Sequence, residues 1–340
     1  MQGGRQVAVV GAAGHTGRLV VQGLLERGLA PVAIARDAAA LSAAGFHDLG
    51  VACSPIPLED PDALAAALRG ASVVINCAGP FAKTAERVAA AALRSGAHYI
   101  DVSSEHGPTE ALLGAFHKPA RAAGLVVVPS VAVHGGLADL LVTAAMRGWD
   151  NADFVQIATG MRRGRPTKGM RATLTQAPQH EWVISNRRLA PAPPVRGRRS
   201  WSFGGAVGNQ TVSRFAFNEP GLVARHLKVG ELRSYLSVDA LADLVDPNVP
   251  VIDPADELTT AWQRFAMEVV VTRGRAQRRV TLDGRDPYAF SARMAIEAAE
   301  RLMRGQFRAV GASTAGEIFE ADSFLRDFNV TPVTADPLPA

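Results

Sequence analysis

Only two cysteines, Cys53 and Cys77, occur in 340 residues. That is too few for a dedicated zinc site or a disulfide framework, so no resident metal and a reducing compartment are expected. Long apolar runs are missing as well. The longest, around Leu125 to Val133, is broken by Pro129 and Ser130 and falls far short of the ~20 residues of a membrane span. No basic stretch followed by an apolar one precedes the glycine-rich turn at Gly11, so no signal peptide is expected. These absences point to a soluble cytoplasmic protein without a membrane partner. Internal repeats are also lacking. What is present is length and apolar content, 48% hydrophobic, enough for a substantial core and two domains.

The net charge of +4 is local in origin. Residues 162–199 hold ten Lys/Arg and one acid, Glu181, and the rest of the chain has an acidic surplus. Clustered arginines suit anions, and bidentate guanidinium contacts suit carboxylates and phosphates. Three readings follow: capture of an anionic or carrier-bound substrate through Arg163, Arg165 and Lys168, contact with an acidic carrier protein, or a solvated surface or subunit contact. Nucleic acid is not expected, because Trp182 and Trp201 are the only aromatics in or beside the segment and offer little stacking platform.

The first 130 residues alternate short apolar strands with helices. Strands are expected at Val7–Val10, Pro31–Ala35, Val51–Pro57, Ser72–Asn76, His98–Val102 and Leu125–Val128. Asp37 and the Asp60-Pro61-Asp62 run read as helix starts. Six such strands with intervening helices predict an α/β, Rossmann-type doubly wound parallel sheet. After Pro129 the rhythm changes to a second, mixed α+β domain with an antiparallel sheet. Strands are expected at Phe154–Thr159, Val229–Val238, Phe265–Thr272 and Ala276–Leu282, helices at Pro166–Ala177 and Pro287–Arg304, and an irregular excursion at 178–200.

Gly11-Ala12-Ala13-Gly14-His15-Thr16-Gly17 follows a strand and opens a helix, the context a dinucleotide-binding turn requires. Gly11 permits the tight turn, Gly14 lets backbone approach a pyrophosphate, and Gly17 lets helix and strand pack closely. The helix N-terminus offers N–H groups to phosphate, and Ala13, His15 and Thr16 lie along it. Arg36 closes the second strand. An arginine there suits a 2′-phosphate, so the expected cofactor is NADP, with Asp37 spent as a helix cap. Ligands bind beyond the carboxyl ends of such strands. Three loops sit there: Asn76-Cys77-Ala78-Gly79-Pro80-Phe81, Asp101-Val102-Ser103-Ser104-Glu105-His106, and Pro129 to Gly136. Asn76 to Pro80 and Ser103 are assigned to cofactor, and Phe81 and Ser130 to substrate.

The glycine turn, Ile75–Phe81, Tyr99–Glu105, the Pro129 loop into Asp139-Leu140-Leu141, Arg163–Pro166 and Asp286-Pro287-Tyr288 together resemble the saccharopine dehydrogenase-like NADP-dependent oxidoreductases, which include trans-acting enoyl reductases. The resemblance spans most of the chain and is weakest over 178–260. It implies an NADP-binding domain, a mixed second domain, and a long C-terminal helix that returns to the first. The corresponding domains are 1–130 plus 284–340 for NADP binding and 131–283 for substrate and oligomerisation. Two departures from the family pattern, Ser104 in place of glycine and the Pro129–His134 loop, fall where substrate binds.

Reduction needs a proton donor near the reacting atom. His134, on the interdomain loop with a pKa tunable toward neutrality, is the first candidate, with a loop-fixing hydrogen bond as its alternative. Asp101 is the second, as acid or positioner, its alternative being a cap on the following turn. Glu105 and His106 read as rim residues and Tyr99 as core. No Tyr-x-x-x-Lys pair occurs, which argues against an ordinary short-chain alcohol dehydrogenase. The expected function is an NADPH-dependent reductase of a C=C, C=N or C=O bond in a small metabolite, acting as a homo-oligomer. A non-catalytic NADP sensor is the alternative.

Overall fold

Val7 and Val9 face one side of their strand and Ala8 and Val10 the other, and all four are buried in separate clusters. A strand covered on both faces belongs inside a sheet layered between helices. The computed structural model describes residues 6–176, 181–194, 197–253, 263–331 and 333–337. In it β1 (Gln6–Val10), β2 (Ala30–Ala35), β3 (Ala52–Pro55), β4 (Val73–Asn76), β5 (His98–Asp101) and β6 (Val126–Val128) are joined by a seventh strand, β15 (Gly311–Ala312). They form one parallel sheet in the order β15-β6-β5-β4-β1-β2-β3. The seventh strand is two residues long, too short to leave a pattern in the sequence.

The helices of this half are α1 (His15–Glu26), α2 (Ala38–Ala43), α3 (Pro61–Ala67), α4 (Phe81–Ser95), α5 (His106–Ala115) and α6 (His117–Ala122). Asp37 accepts from the Ala39 and Ala40 amides to start α2, and Asp60 does the same for α3, as side-chain caps do. Phe116 ends α5 and starts α6.

The second half begins at α7 (Ala138–Ala145), entered through a wide turn at Val133–Leu137. Its main sheet comprises β7 (Ala152–Met161), β10 (Arg198–Ser202), β11 (Asn209–Arg214), β12 (Val229–Ser237), β13 (Arg264–Arg273), β14 (Ala276–Arg285) and β16 (Thr334–Pro337). The order is β10-β11-β12-β7-β13-β14-β16. The pairing of β12 with β7 is parallel, so the sheet is mixed rather than antiparallel. A hairpin of β8 (Trp182–Ser185) and β9 (Arg188–Pro191) attaches through β8 to β12. Strands therefore occupy much of the stretch expected to be irregular. Asn186 and Arg187 both hold positive φ at the hairpin tip, the geometry of a tight hairpin usually flagged by Asn-Gly. With arginine in the second place, that signal is absent.

Helices α8 (Lys168–Gln176), α9 (Glu219–His226) and α10 (Val238–Val245) lie on this half. Helix α11 (Pro287–Met303), capped by Asp286, packs along α1 and against β4 and β5, and the short α12 (Ala315–Ile318) and α13 (Ala321–Leu325) follow. The chain then leaves the first sheet, and β16 pairs with β14 in the second. The return of 284–340 to the first half thus stops short of its last strand.

Candidate active site

The chain runs from β1 outward to β2 and β3, then resumes at β4 on the other side of β1. That reversal opens a crevice beyond the carboxyl ends of β1 and β4. The two loops meet there. A Cβ on Gly11, whose φ is +78°, would lie 2.7 Å from the Ala78 nitrogen. One on Gly17 would lie 2.2 Å from the Gly11 carbonyl oxygen, whereas Gly14 is exposed and only lightly crowded. Gly11 and Gly17 thus serve close approach, and Gly14 faces the opening.

Unlike α2 and α3, α1 has no side-chain cap at its N-terminus. Its first-turn amides are left for a ligand, and a phosphate suits them by charge and by hydrogen bonding. Ala13 turns its carbonyl to the Arg18 Nε. At the end of β2, Arg36 is exposed and the Asp37 carboxylate is engaged in its cap. These residues fit a dinucleotide carrying a 2′-phosphate.

Behind the crevice, a buried network fixes the loops. The Asn76 side chain accepts from the Ala78 amide at 3.0 Å and donates to the Tyr99 hydroxyl at 3.2 Å. Tyr99 donates to Asp101 Oδ2 at 2.9 Å, and Asp101 Oδ1 accepts from the Ser103 and Ser130 amides at 2.9 and 2.8 Å. Burial pushes the Asp101 carboxyl up to about 6, against those hydrogen bonds. Fully enclosed, Asp101 positions the loops after β5 and β6 and does not line the cavity described next. Asn76 and Ser103 are likewise enclosed, and the Ser103 hydroxyl accepts from the Glu105 amide. Ser130, at φ +63°, turns its hydroxyl to Thr109 and Asn218. It therefore lies behind the wall formed by its neighbours.

A cavity of about 110 Å³ lies between the two halves. Of the residues expected from sequence, it brings together Thr16, Cys77, Gly79, Phe81, His134 and Arg165. The second half contributes Met161, Met170, Thr173, Leu244 and Gln263, and α11 contributes Pro287, Tyr288 and Ser291. A larger groove of about 1570 Å³ follows α1 and α11, but it lies along the helices and not across the strand ends.

His134 stands in the cavity wall stacked on Phe217, ring centroids 4.2 Å apart. Its Nδ1 is buried and has no partner among the described residues. Burial lowers its pKa to about 4. The expectation of a near-neutral proton donor is therefore corrected: no carboxylate faces the ring to offset its desolvation, and the imidazole is neutral at pH 7. Burial also drives the Cys77 thiol upward, which keeps it protonated.

Glu105, read from sequence as a rim residue, lines the cavity and organises it. Its carboxylate accepts from the Phe81 and Ala82 amides at 2.8 and 3.0 Å and from the Thr173 hydroxyl at 2.8 Å. It caps α4, whose N-cap residue Pro80 has no side-chain group to do so. Tyr288 donates to the Arg165 carbonyl at 3.0 Å and accepts from the Thr167 amide. Gln263 and Tyr288 escaped sequence reasoning. The first has no motif around it, and the second was visible only within the Asp286-Pro287-Tyr288 segment of the resemblance, with no role given to it.

The basic segment does not act as one patch. Arg165 lines the cavity, and Arg171 donates to the Asp246 and Val249 carbonyls. Arg163 is exposed beside Asp243, and Lys168 is exposed at the start of α8. Arg199 lies over Trp201 and Tyr235. Arg196 lies outside the described residues.

Residues 7–128 match the family model described as the saccharopine dehydrogenase NADP binding domain. That match over the first half marks the chain as an NAD(P)-dependent oxidoreductase whose dinucleotide-binding domain is similar to that of saccharopine dehydrogenase. Its cofactor is NADP. Apo histidine-tagged saccharopine dehydrogenase (L-Glu forming) from Saccharomyces cerevisiae shares the fold, with a TM-score of 0.64 at 11% identity, over 99% of this chain and 100% of that one. GenD2 from gentamicin A biosynthesis, in complex with NAD, aligns over 88% of this chain and 87% of its own at 14% identity and a TM-score of 0.45. Among the described residues no helix is long and apolar enough to cross a membrane.

Proposed function

We propose that this oxidoreductase is an NADPH-dependent reductase of a C=C, C=N or C=O bond in a small metabolite bound in the interdomain cavity. The observation carrying this reading is the continuity of that cavity with the cofactor turn. Thr16 from the turn, Gly79 from the loop after β4 and His134 from the interdomain loop share one cavity. Such a crevice at the strand ends is where ligands of this fold class bind.

Bound NADPH supplies a hydride, which accounts for two electrons, and a proton completes the reduction of the acceptor. The chain's own residues hold and orient the acceptor. Phe81, Met161 and Met170 give it an apolar wall. Neutral His134 offers a hydrogen bond rather than an imidazolium proton, so the proton reaches the product from solvent. Arg165, half-buried on the wall, suits an acidic or carrier-bound tail. Exposed Arg163 and Lys168 suit the approach of an acidic carrier. A second copy of the chain is the further expected partner.

The test is NADPH oxidation, followed by absorbance, against a panel of enals, imines and keto acids. Consumption with one class and not the others identifies the bond reduced. A protein that binds NADP yet consumes no cofactor with any of them overturns the reading.

A further inference from the structure

Several polar side chains lining the interdomain cavity already have partners. Glu105 holds the start of α4 and the Thr173 hydroxyl. The Tyr288 hydroxyl is committed to Arg165 and Thr167. Ser291 donates to the Pro287 carbonyl and accepts from the Val133 amide. Gln263 differs. It is 5% exposed, it lines the cavity, and its Nε2 has no partner among the described residues.

Leaving a carboxamide N–H buried without an acceptor is costly, and native structures rarely do so without a reason. The backbone of Gln263 is tied down. Its carbonyl accepts from the Asp286 amide at 2.7 Å, and Asp286 in turn caps α11, whose Tyr288 stands in the same cavity. A buried donor on a held backbone, facing a largely apolar space, is how a binding site selects one oxygen of a ligand.

We propose that Gln263 is a substrate-recognition residue whose carboxamide N–H donates to a neutral carbonyl oxygen of the substrate, as in a ketone, ester, amide or thioester. A neutral acceptor matches a neutral donor. A carboxylate suits Arg165, on the same wall, better than one neutral amide. Met161, Met170 and Leu244 line the cavity with Gln263 and suit the carbon skeleton beside the carbonyl. His134, whose Nδ1 is also unpartnered, lines the same cavity. The inference rests on the cavity being the substrate site of the reductase reading, and it deepens that reading by naming the group recognised.

Two variants of the NADP-loaded protein test it, Gln263→Leu, which keeps bulk without the donor, and Gln263→Glu, which keeps shape. The probes are 2-cyclohexenone and cyclohexene, with affinity measured by ligand-observed NMR. The expected result is that the enone binds wild type at least about tenfold more tightly than either variant, a bidding of the kind a polar site makes against a lost hydrogen bond. Cyclohexene should not distinguish wild type from Gln263→Leu, and NADP affinity should be equal in all three. Removing an unpartnered donor should also leave the melting temperature of Gln263→Leu no lower than that of wild type. Equal enone binding in all three proteins, absent binding included, overturns the proposal. So does a Gln263→Leu melting temperature lowered by several degrees, because the donor would then be bonded within the protein. Neither readout needs turnover. A wild type that binds the enone through Gln263 yet reduces no acceptor overturns the reductase reading and leaves this contact standing.

Discussion

The Glu105 carboxylate accepts a 2.8 Å hydrogen bond from the Thr173 hydroxyl, tying the loop after β5 to α8 of the second half. The same carboxylate holds the first two amides of α4. One side chain thus sets the spacing between the start of a helix in the NADP-binding half and a wall of the cavity.

Removing parts of this contact should have graded effects. Thr173→Val is expected to lose about 1.5 kcal/mol, the low end for one hydrogen bond to a charged group. Glu105→Ala should lose roughly 1–3 kcal/mol or more, because two helix amides lose a charged acceptor. Urea unfolding of the two variants checks the order. Equal losses would show that the α4 cap contributes nothing.

At Arg36, Ala should weaken NADP binding about tenfold or more while leaving NAD affinity nearly unchanged, since only NADP carries the 2′-phosphate. Calorimetric titration with each cofactor measures it. The free Arg36 side chain and the occupied Asp37 carboxylate make the prediction.

Gly17→Ala and Gly14→Ala should separate folding from cofactor approach. A Cβ at Gly17 would meet backbone on two sides, 2.2 Å from the Gly11 oxygen and 2.8 Å from the Ala12 Cα. A loss of at least about 3 kcal/mol, or failure to fold, is expected. At Gly14 the nearest atom is 3.2 Å away, so the alanine variant should fold and show its defect in NADP affinity. Thermal melts with and without cofactor distinguish the two.

Two buried groups pull the pH dependence of stability in opposite directions. Burial raises the Glu219 carboxyl from 4.5 to about 7. The native state then binds the proton more tightly than the unfolded chain, and stability declines as pH rises through that interval. Burial lowers His134 from 6.5 to about 4, so its contribution is complete above 6.5 and is lost as pH falls toward 4. Between pH 5 and 8, Glu219→Gln should remove an alkaline-side decline of roughly 1–3 kcal/mol. The His134 ring resonance should not titrate between pH 5.5 and 8. Denaturation at both pH values and an NMR titration check these outcomes.

Local patterns carried much of the architecture. Short continuous apolar runs such as Val7 to Val10, the caps at Asp37 and Asp60, and the glycine turn from Gly11 to Gly17 act within a few residues, so the parallel sheet and the cofactor turn were legible. The β8–β9 hairpin was not, because its tip, Asn186-Arg187, lacks the usual glycine. The parallel pairing of β12 with β7 depends on a crossover that no local pattern encodes.

The chain's residue order alone determined that strands end in glycine, asparagine and aspartate loops beside a phosphate-ready helix start, because propensity, capping and glycine geometry are short-range properties. Which side chains share a cavity was decided only in three dimensions. Thr16 and Gln263 are far apart in the chain and face one space, while Asp101 and Ser130, on the expected loops, are sealed behind its wall. The charge of His134 was decided there too. Desolvation depends on what packs around a ring, and Phe217 reaches it from the second half.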